Sequence, residues 1–532
     1  MTGGTTGGEA LVAALAAHGV DTVFGIPGTH NLPVYAALAR HGVRHVSPRH
    51  EQGAAFAADG WARVSGRPGV CLTTTGPAVL NAATAAAQSY SDSVPVLLIS
   101  PGMPLDHPGR GNGLLHEVKD QRAALDALLA YSHRVTSVAE IPLAVAQAYA
   151  AMGTGRPRPV HLEIPLDLLD ARAPAPLVPP VPVTPAALPP GLARQAARLL
   201  AAAERPVIVA GGGSADGHRE LRELAERLDA PVVTTAAGKG TVPDDHPLAV
   251  GAGLHHAAVH DLIAGSDVVL AVGTELAPCD LWNGPLEITG TLLRVDSDAQ
   301  TVITNARPDL PLVADAALAL RALASALPAG PPPARDGAHR ARTARAERAA
   351  QARTEGAAHL EMTQALGRAL GPTGVLAADS AMAAYYGALS HLPAHRPRTF
   401  LYPAGLGTLG YALPAAIGAK LARPEVPVIA LHGDGGLMFT VQELAAAATL
   451  RLPLPVLVSD NGGYGEIRNE MADRHDPVHA VDLPGTDFVA LAQALGCHGV
   501  RARDPEQLAD ALSAALTADR PTLVHWPEPA AR

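Results

Sequence analysis

The chain reads as short, almost unbroken apolar runs separated by longer Ala-rich stretches. TVFGIPG, GVCLTTTGP and VPVLLIS lie in the first third. RPVIVAGGGS, APVVTT, SDVVLAVGTEL and LLRVDSD lie in the middle, and VPVIALHGDGG and LPLPVLVSDN in the last. Such runs, rich in Val, Ile and Leu and ending at Gly, Pro or Asp, predict strands buried on both faces. The stretches EQGAAFAADGWARVSG, residues 217–228 and MFTVQELAAAATL predict helices between them. Strand and helix in alternation predict the α/β class, with parallel sheets flanked by helices. Ligands of such sheets bind beyond the carboxyl ends of the strands, so the turns after the runs should carry the chemistry.

Two breaks interrupt the alternation. ARAPAPLVPPVPVTPAALPP, residues 171–190, is too rich in proline for helix and predicts an extended linker. Residues 326–356 begin Pro-rich and turn into an Ala/Arg/Glu stretch that predicts an exposed helix. The breaks divide the chain into three domains, 1–172, 190–328 and 357–532, in keeping with a length of 532 residues.

Composition narrows the function. A net charge of −10 argues against a nucleic-acid partner, which needs a basic face. Cys71, Cys279 and Cys497 fit neither a disulfide framework nor a zinc motif. The N-terminus lacks a basic segment followed by an apolar one, and every long apolar run is cut by Pro, Arg or Asp. The expectation is a cytoplasmic globular protein with no membrane partner.

The last block carries the most specific pattern. VPVIALHGDGG predicts a strand entering a glycine turn, and LPLPVLVSDN predicts the next parallel strand. Asp434 and Asn461, 27 positions apart, then end neighbouring strands and face one crevice. A carboxylate, an amide oxygen and a backbone carbonyl are hard ligands suited to Mg²⁺. Gly435 and Gly436 let backbone N–H groups approach a phosphate. The pattern predicts a magnesium–diphosphate anchor.

GDG followed at this distance by Asn, then by GGYG, resembles the thiamine diphosphate-dependent enzymes. Their motif ends in two asparagines; here Asp460 replaces the first. The resemblance covers the whole chain and implies a pyrimidine-binding domain, a Rossmann-like central domain and a diphosphate-binding domain. It implies thiamine diphosphate and Mg²⁺ as cofactors, with Asp434, Asn461 and the Gly463 carbonyl on the metal and Gly433, Gly435 and Gly436 beside the diphosphate. PRHEQGAAFAADGWAR matches the H-E-x-x-A pattern, which makes Glu51 the acid that protonates the aminopyrimidine. AGLGTLGYALPAAIGA resembles the segment that clamps the cofactor, with the Gly407 carbonyl on the amino group and Leu409 bending the ring system. GPAVLN resembles a loop near the reacting end, which implicates Gly76 and Asn81, and GIPGTHN directs Thr29 and His30 toward substrate. Members of one decarboxylase branch carry an acid at the position of Thr29.

In the family Glu51 and Asp434 meet across a subunit interface, so the resemblance implies a homodimer or homotetramer. It also implies a 2-oxo acid substrate, decarboxylated to an aldehyde or joined to a second carbonyl compound. Two segments should decide between these. Acetolactate synthases usually carry Phe-Gln-Glu where this chain has Leu115-His116-Glu117, and His116 is a candidate proton donor or acceptor. HEVKDQ with GYGEIR resembles the branch that decarboxylates 5-guanidino-2-oxopentanoate. A guanidinium tail calls for carboxylates, and Glu117, Asp120 and Glu466 are the candidates. Acetolactate synthases also bind FAD in the central domain; RPVIVAGGGS is a single glycine turn and leaves FAD open. Loss of Glu51 or of the metal ligands would mark a non-catalytic relative, and neither is lost.

Overall fold

The computed structural model describes residues 4–330, 335–483 and 485–528. The Pro-rich start of the second break, at 331–334, lies outside them. Three six-stranded sheets, all parallel, form in succession. The first runs, in spatial order, Arg44–Val46, Thr22–Gly25, Gly69–Leu72, Val96–Gly102, Val160–Pro165, Ser132–Arg134. The third runs Phe400–Leu401, Val375–Ala378, Val428–Gly433, Pro455–Asp460, Thr522–Pro527, His498–Arg501. Numbered along the chain within each sheet, both orders are 2-1-3-4-6-5. The central sheet, from Ala249–Ala252 through Pro206–Ala210 to Leu310–Val313, has the order 3-2-1-4-5-6 of a doubly wound nucleotide-binding sheet. No helix among the described residues is long and apolar enough to cross a membrane.

The interior strands are buried along nearly their whole length, which explains their continuous apolar runs. The unforeseen strands include edge ones, such as Arg44–Val46, Ser132–Arg134, Phe400–Leu401 and the exposed His498–Arg501, and three buried interior ones, Val160–Pro165, Val375–Ala378 and Thr522–Pro527. The helix expected through MFTVQELAAAATL, residues 438–450, forms only over Glu443–Thr449, and a separate short turn of helix, Asp434–Leu437, precedes it. Between them Thr440 turns inward and donates its hydroxyl to the Gly410 carbonyl at 2.7 Å.

The helix after the second break, Gly337–Glu355, is not simply exposed. It lies along the central sheet's edge strand Ala249–Ala252. Arg345 donates to the Ala249 carbonyl, and buried Arg348 donates to those of Val250 and Ala252. Guanidinium groups thus satisfy backbone acceptors that an open sheet edge would leave to water or to another chain.

First and third domains meet through helices Glu51–Ser65 and Ala412–Ala422. A Cβ on Gly60 would sit 2.1 Å from the Ala415 carbonyl oxygen, and one on Gly418 would sit 1.9 Å from that of Ala57. The helices therefore touch backbone to backbone. At one end a buried network secures them. Arg63 reaches Asp59 and Asp92, each at 2.6 Å, and Tyr411 donates to Asp59 at 2.8 Å. Gly418→Ala should cost about 1–3 kcal/mol by overpacking. Gly191→Ala, on a helix with no atom near the new methyl, should be neutral or slightly stabilising. Thermal unfolding of both variants checks this; an equal shift in the two would remove the close approach as the cause.

Candidate active site

Each outer sheet has its topological switch point between its strands 1 and 3, where the chain departs to opposite sides. In the third sheet these strands end at Asp379 and Asp434, and the neighbouring strand 4 ends at Asp460-Asn461. The sequence-predicted anchor residues are thus brought together.

The two acids at the switch point differ in their hydrogen bonding. Asp379 is fully buried and saturated. It accepts from the backbone N–H of Ser380, Gly410 and Tyr411 and from His432 Nδ1, at 2.8–3.2 Å. His432 Nε2 accepts from the Leu413 N–H at 2.8 Å, which fixes the Nδ1–H tautomer. This pair ties the segment 407–413 to the strand ends. Asp434, by contrast, keeps a buried Oδ1 with no partner, and so does Asn461. Burial, with the Asp460 charge adding to it, pushes the Asp434 carboxyl up to about 6.

The glycines around Asp434 let these parts close up. A Cβ at Gly436 would lie 2.5 Å from Asp379 Oδ2 and 3.8 Å from Leu409 Cδ2; one at Gly435 would meet the Tyr464 ring at 2.8 Å. Gly433 ends the strand, and Gly463 follows Asn461 with φ +147°. Gly407 is exposed with φ +65°. Asp460 turns aside from the crevice. Its Oδ1 accepts from the Gly462 N–H at 3.0 Å and its Oδ2 pairs with His525 at 2.8 Å, so it braces the loop that carries Asn461.

On the first sheet, Glu51 opens its helix, and Asn81 Nδ2 donates to Glu51 Oε2 at 3.0 Å. His30 and His116 meet edge to face with centroids 5.1 Å apart, and His30 Nδ1 lies 2.8 Å from Thr75 Oγ1. Burial, helped by His116, lowers the His30 pKa. His116 has φ +64° and a buried, unpartnered Nδ1. Its carbonyl oxygen would be 2.2 Å from a Cβ on Gly76, which is what requires glycine there. Thr29 is exposed at the start of the following helical turn. Among the described residues, no hydrogen bond or ion pair joins this group to Asp434, Asn461, Gly463 or Glu466 of the same chain.

The three acids considered for a substrate tail have different surroundings. Glu117 accepts from the N–H groups of Asn112 and Gly113 and pairs with His107 at 3.2 Å, all within its own loop. Asp120 caps the helix Gln121–Asp126. Glu466 receives the Tyr386 hydroxyl at 2.9 Å on one oxygen, while the other is buried and unpartnered.

Sequence reading missed Glu443. It is fully buried in the third domain, and its carboxylate accepts the N–H groups of Arg49 and His50, the two residues before Glu51, each at 3.0 Å. An acid within an Ala-rich apolar helix was the available signal. The Asp379–His432 pair and the Tyr385-Tyr386 wall were missed as well. Asp379 and His432 lie in separate segments that only folding brings together, and the adjacent Tyr385 and Tyr386 gain their meaning from Glu466, 80 residues beyond Tyr386.

Sequence models of one family match the chain three times. The thiamine pyrophosphate enzyme N-terminal TPP binding domain matches residues 5–124, the central domain 193–323 and the C-terminal TPP binding domain 382–526. The chain belongs to the thiamine pyrophosphate enzymes. Among curated relatives it is similar to the probable 2-ketoarginine decarboxylase AruI of Pseudomonas aeruginosa. The two are 43% identical over 531 residues, 99% of this chain and 95% of the relative. It is also similar to the probable acetolactate synthase large subunit of Methanocaldococcus jannaschii, 33% identical over 97% of this chain and 91% of the relative. The acetolactate synthase of Mycobacterium bovis is 34% identical over 96% and 86%.

Burial pushes the Glu443 carboxyl up to about 7. Its folded pKa therefore exceeds its unfolded one, and the stability it contributes is lost as pH rises from about 4.5 through about 7. Glu443→Gln keeps the acceptor and removes the titration. Relative to wild type, the variant should gain thermal stability between pH 5 and pH 8, by about 2–3 kcal/mol at most. Paired unfolding curves across that range check this; a constant difference would show that Glu443 does not titrate there.

Proposed function

We propose that this protein is a thiamine diphosphate- and Mg²⁺-dependent decarboxylase of 2-oxo acids with a cationic tail, of the 5-guanidino-2-oxopentanoate type. We further propose that two copies complete each active site. The observation that carries this reading is one set of buried oxygens without partners. Asp434 Oδ1 and Asn461 Oδ1 end neighbouring strands, and Glu466, whose Oε2 is also without a partner, lies in the first turn of the helix that follows Asn461.

The first two oxygens, with the Gly463 carbonyl, form an all-oxygen donor set that fits Mg²⁺ and the phosphate oxygens it would share. The backbone N–H groups of the glycine turn at 433–436 would hold the diphosphate beside it. When bound, thiamine diphosphate supplies the nucleophilic carbon and the electron sink that let CO₂ depart. Glu51, oriented by Asn81, would hold a proton at the pyrimidine ring. Gly407 and Leu409 would bind the amino group and fix the bend. His30, with Thr75 and His116 beside it, would move a proton at the substrate carbonyl, and Thr29 would border the same end.

Glu466 decides the tail. A buried carboxylate oxygen without a donor is costly, and a guanidinium supplies N–H donors and charge together. Tyr385 and Tyr386, with centroids 4.6 Å apart, offer ring faces that suit a planar cation. The full-length similarity to the 2-ketoarginine decarboxylase points the same way. Glu117 and Asp120 already have partners in their own loop and helix cap, so we assign them no contact with substrate. We make no assignment of FAD to the central domain. The turn at Gly211–Gly213 packs against Gly273, where a Cβ on Gly211 would meet a carbonyl oxygen at 2.2 Å.

Two features support a shared site in a homodimer or a dimer of dimers. Large exposed apolar side chains flank the site segments of both outer domains: Leu80, Leu115, Leu406, Met438, Phe439 and Ile467. Within one chain, moreover, the clamp is tied to Gln88 through Thr408, seven residues beyond Asn81 on one helix and so roughly 10 Å from Glu51's partner.

CO₂ release with thiamine diphosphate and Mg²⁺ should be fastest on 5-guanidino-2-oxopentanoate, giving the aldehyde. Preference for pyruvate with acetolactate as product would replace this reading by acetolactate synthase. Glu466→Gln should lower kcat/KM for the guanidino acid by roughly 10–100-fold while sparing an uncharged 2-oxo acid; equal losses would free Glu466 from tail recognition.

Glu51→Gln should retain cofactor and lose about 10²–10⁴ in turnover. Asp434→Ala should lose Mg²⁺-dependent cofactor retention. Co-assembled copies of these two variants should recover about a quarter of wild-type activity, because mixed dimers rebuild one intact site. No recovery would place both residues in the site of a single chain.

A further inference from the structure

A second group of ligand-bearing side chains lies apart from the oxygen donors described above. His255 and His256 follow the edge strand Ala249–Ala252 of the central sheet, and Glu355 ends the helix Gly337–Glu355. His255 Nε2 is 3.7 Å and His256 Nδ1 is 3.4 Å from Glu355 Oε2, and the three atoms lie within 4.8 Å of one another. Both rings are buried, His255 at 3% and His256 at 1% exposure, and neither of these nitrogens has a hydrogen-bond partner. Two buried imidazole nitrogens thus converge on one carboxylate with no contact that satisfies them.

An ion pair does not account for the arrangement. Burial lowers both imidazoles, to about 3 for His255 and about 4 for His256, so both are neutral at pH 7. Neutral imidazole nitrogens and a carboxylate oxygen are instead the usual donors to a borderline transition metal. The two separations from Glu355 Oε2, 3.4 and 3.7 Å, are near the roughly 3.3–3.5 Å that a tetrahedral ion imposes with bonds of about 2.0–2.2 Å.

The surroundings are those of a built ligand set. His256 Nε2 lies 3.3 Å from Ser390 Oγ, an outer partner that orients the ring and its tautomer. His255 stacks on Trp282 with centroids 3.7 Å apart and planes 17° from parallel. We propose that His255, His256 and Glu355 bind a Zn²⁺-type divalent ion through two nitrogens and one oxygen. The side chain of Glu355 is 40% exposed, so the fourth position opens to solvent.

This donor set differs in kind from the oxygen set at Asp434 and Asn461. Mg²⁺ prefers oxygen ligands in an octahedron, so the two sites would sort Mg²⁺ and Zn²⁺ between them. The ion would join the central sheet's edge to the end of the helix leading into the third domain. It would also hold the His255–Trp282 stack, whose indole meets Tyr385 and Tyr386 edge-on at 5.9 and 6.0 Å.

The test uses full-length protein stripped with chelator and reloaded with thiamine diphosphate and excess Mg²⁺, which keeps the oxygen site filled. Calorimetry with Zn²⁺ should show one further ion bound per chain. Co²⁺ in its place should give the strong visible bands of a four-coordinate site. Glu355→Gln, a change at a solvent-facing side chain, should weaken Zn²⁺ roughly tenfold or more, with cofactor binding kept as proof of folding. His256→Asn should abolish the Co²⁺ bands. No Zn²⁺ uptake above Mg²⁺, weak octahedral Co²⁺ spectra, or unchanged uptake in folded Glu355→Gln would each overturn the assignment.

Discussion

The backbone contact between Glu51–Ser65 and Ala412–Ala422 governs the rest of the molecule. Two glycines let the helices approach until carbonyl oxygens occupy the space a methyl would need. Each helix serves its own site. One begins with Glu51; the other continues from the segment around Gly407 and Leu409, the proposed clamp. Their contact fixes the angle between the two outer sheets and therefore the direction in which each switch point faces. The Arg63–Asp59–Asp92 network secures one end, and Glu443 secures the other by holding the N–H groups that lead into Glu51. Both ends bury charge or near-charge, which is tolerable only because hydrogen-bond partners surround it. A loosening of the helix pair would displace Glu51 and the segment around Gly407 together.

The two outer sheets share one strand order, so the chain carries the same crevice twice. What distinguishes the crevices is how their polar groups are satisfied. At the third sheet, Asp379 and Asp434 end adjacent strands. Four donors converge on Asp379, which makes it a fastener for the segment 407–413. Asp434 keeps a free oxygen beside that of Asn461. Residue type alone does not separate the two acids; their hydrogen-bond environments do. The same criterion separates Glu466 from Glu117 and explains why Asp460 can replace an amide, since its oxygens serve the loop and His525.

Much of this was legible in the sequence because burial on both faces leaves a simple signature. Val428–Gly433, Pro455–Asp460, Pro206–Ala210 and Val96–Gly102 are continuous apolar runs, and the turns after them carry Asp434 and Asn461. Edge strands such as His498–Arg501 are half solvated and lose that signature. The arginines of Gly337–Glu355 looked like a solvated face because sequence cannot show backbone acceptors waiting at a sheet edge. Glu443 and the Asp379–His432 pair were illegible for a related reason. Their meaning lies in partners 53 to 394 residues away, and no local pattern encodes such a distance.

The Glu466 environment bears on why this site should prefer a charged tail. With pyruvate bound, a methyl group would leave the carboxylate's buried second oxygen without a donor, a cost present in the ground state and the transition state alike. A guanidinium removes that cost by supplying donors in a plane, and the neighbouring tyrosine rings can lie along its faces. Tyr386 already occupies one carboxylate oxygen, so the acid is held in orientation before a ligand arrives, and little ordering remains to be done on binding. Specificity then rests on the mismatch suffered by the wrong substrate as much as on the contact made by the right one.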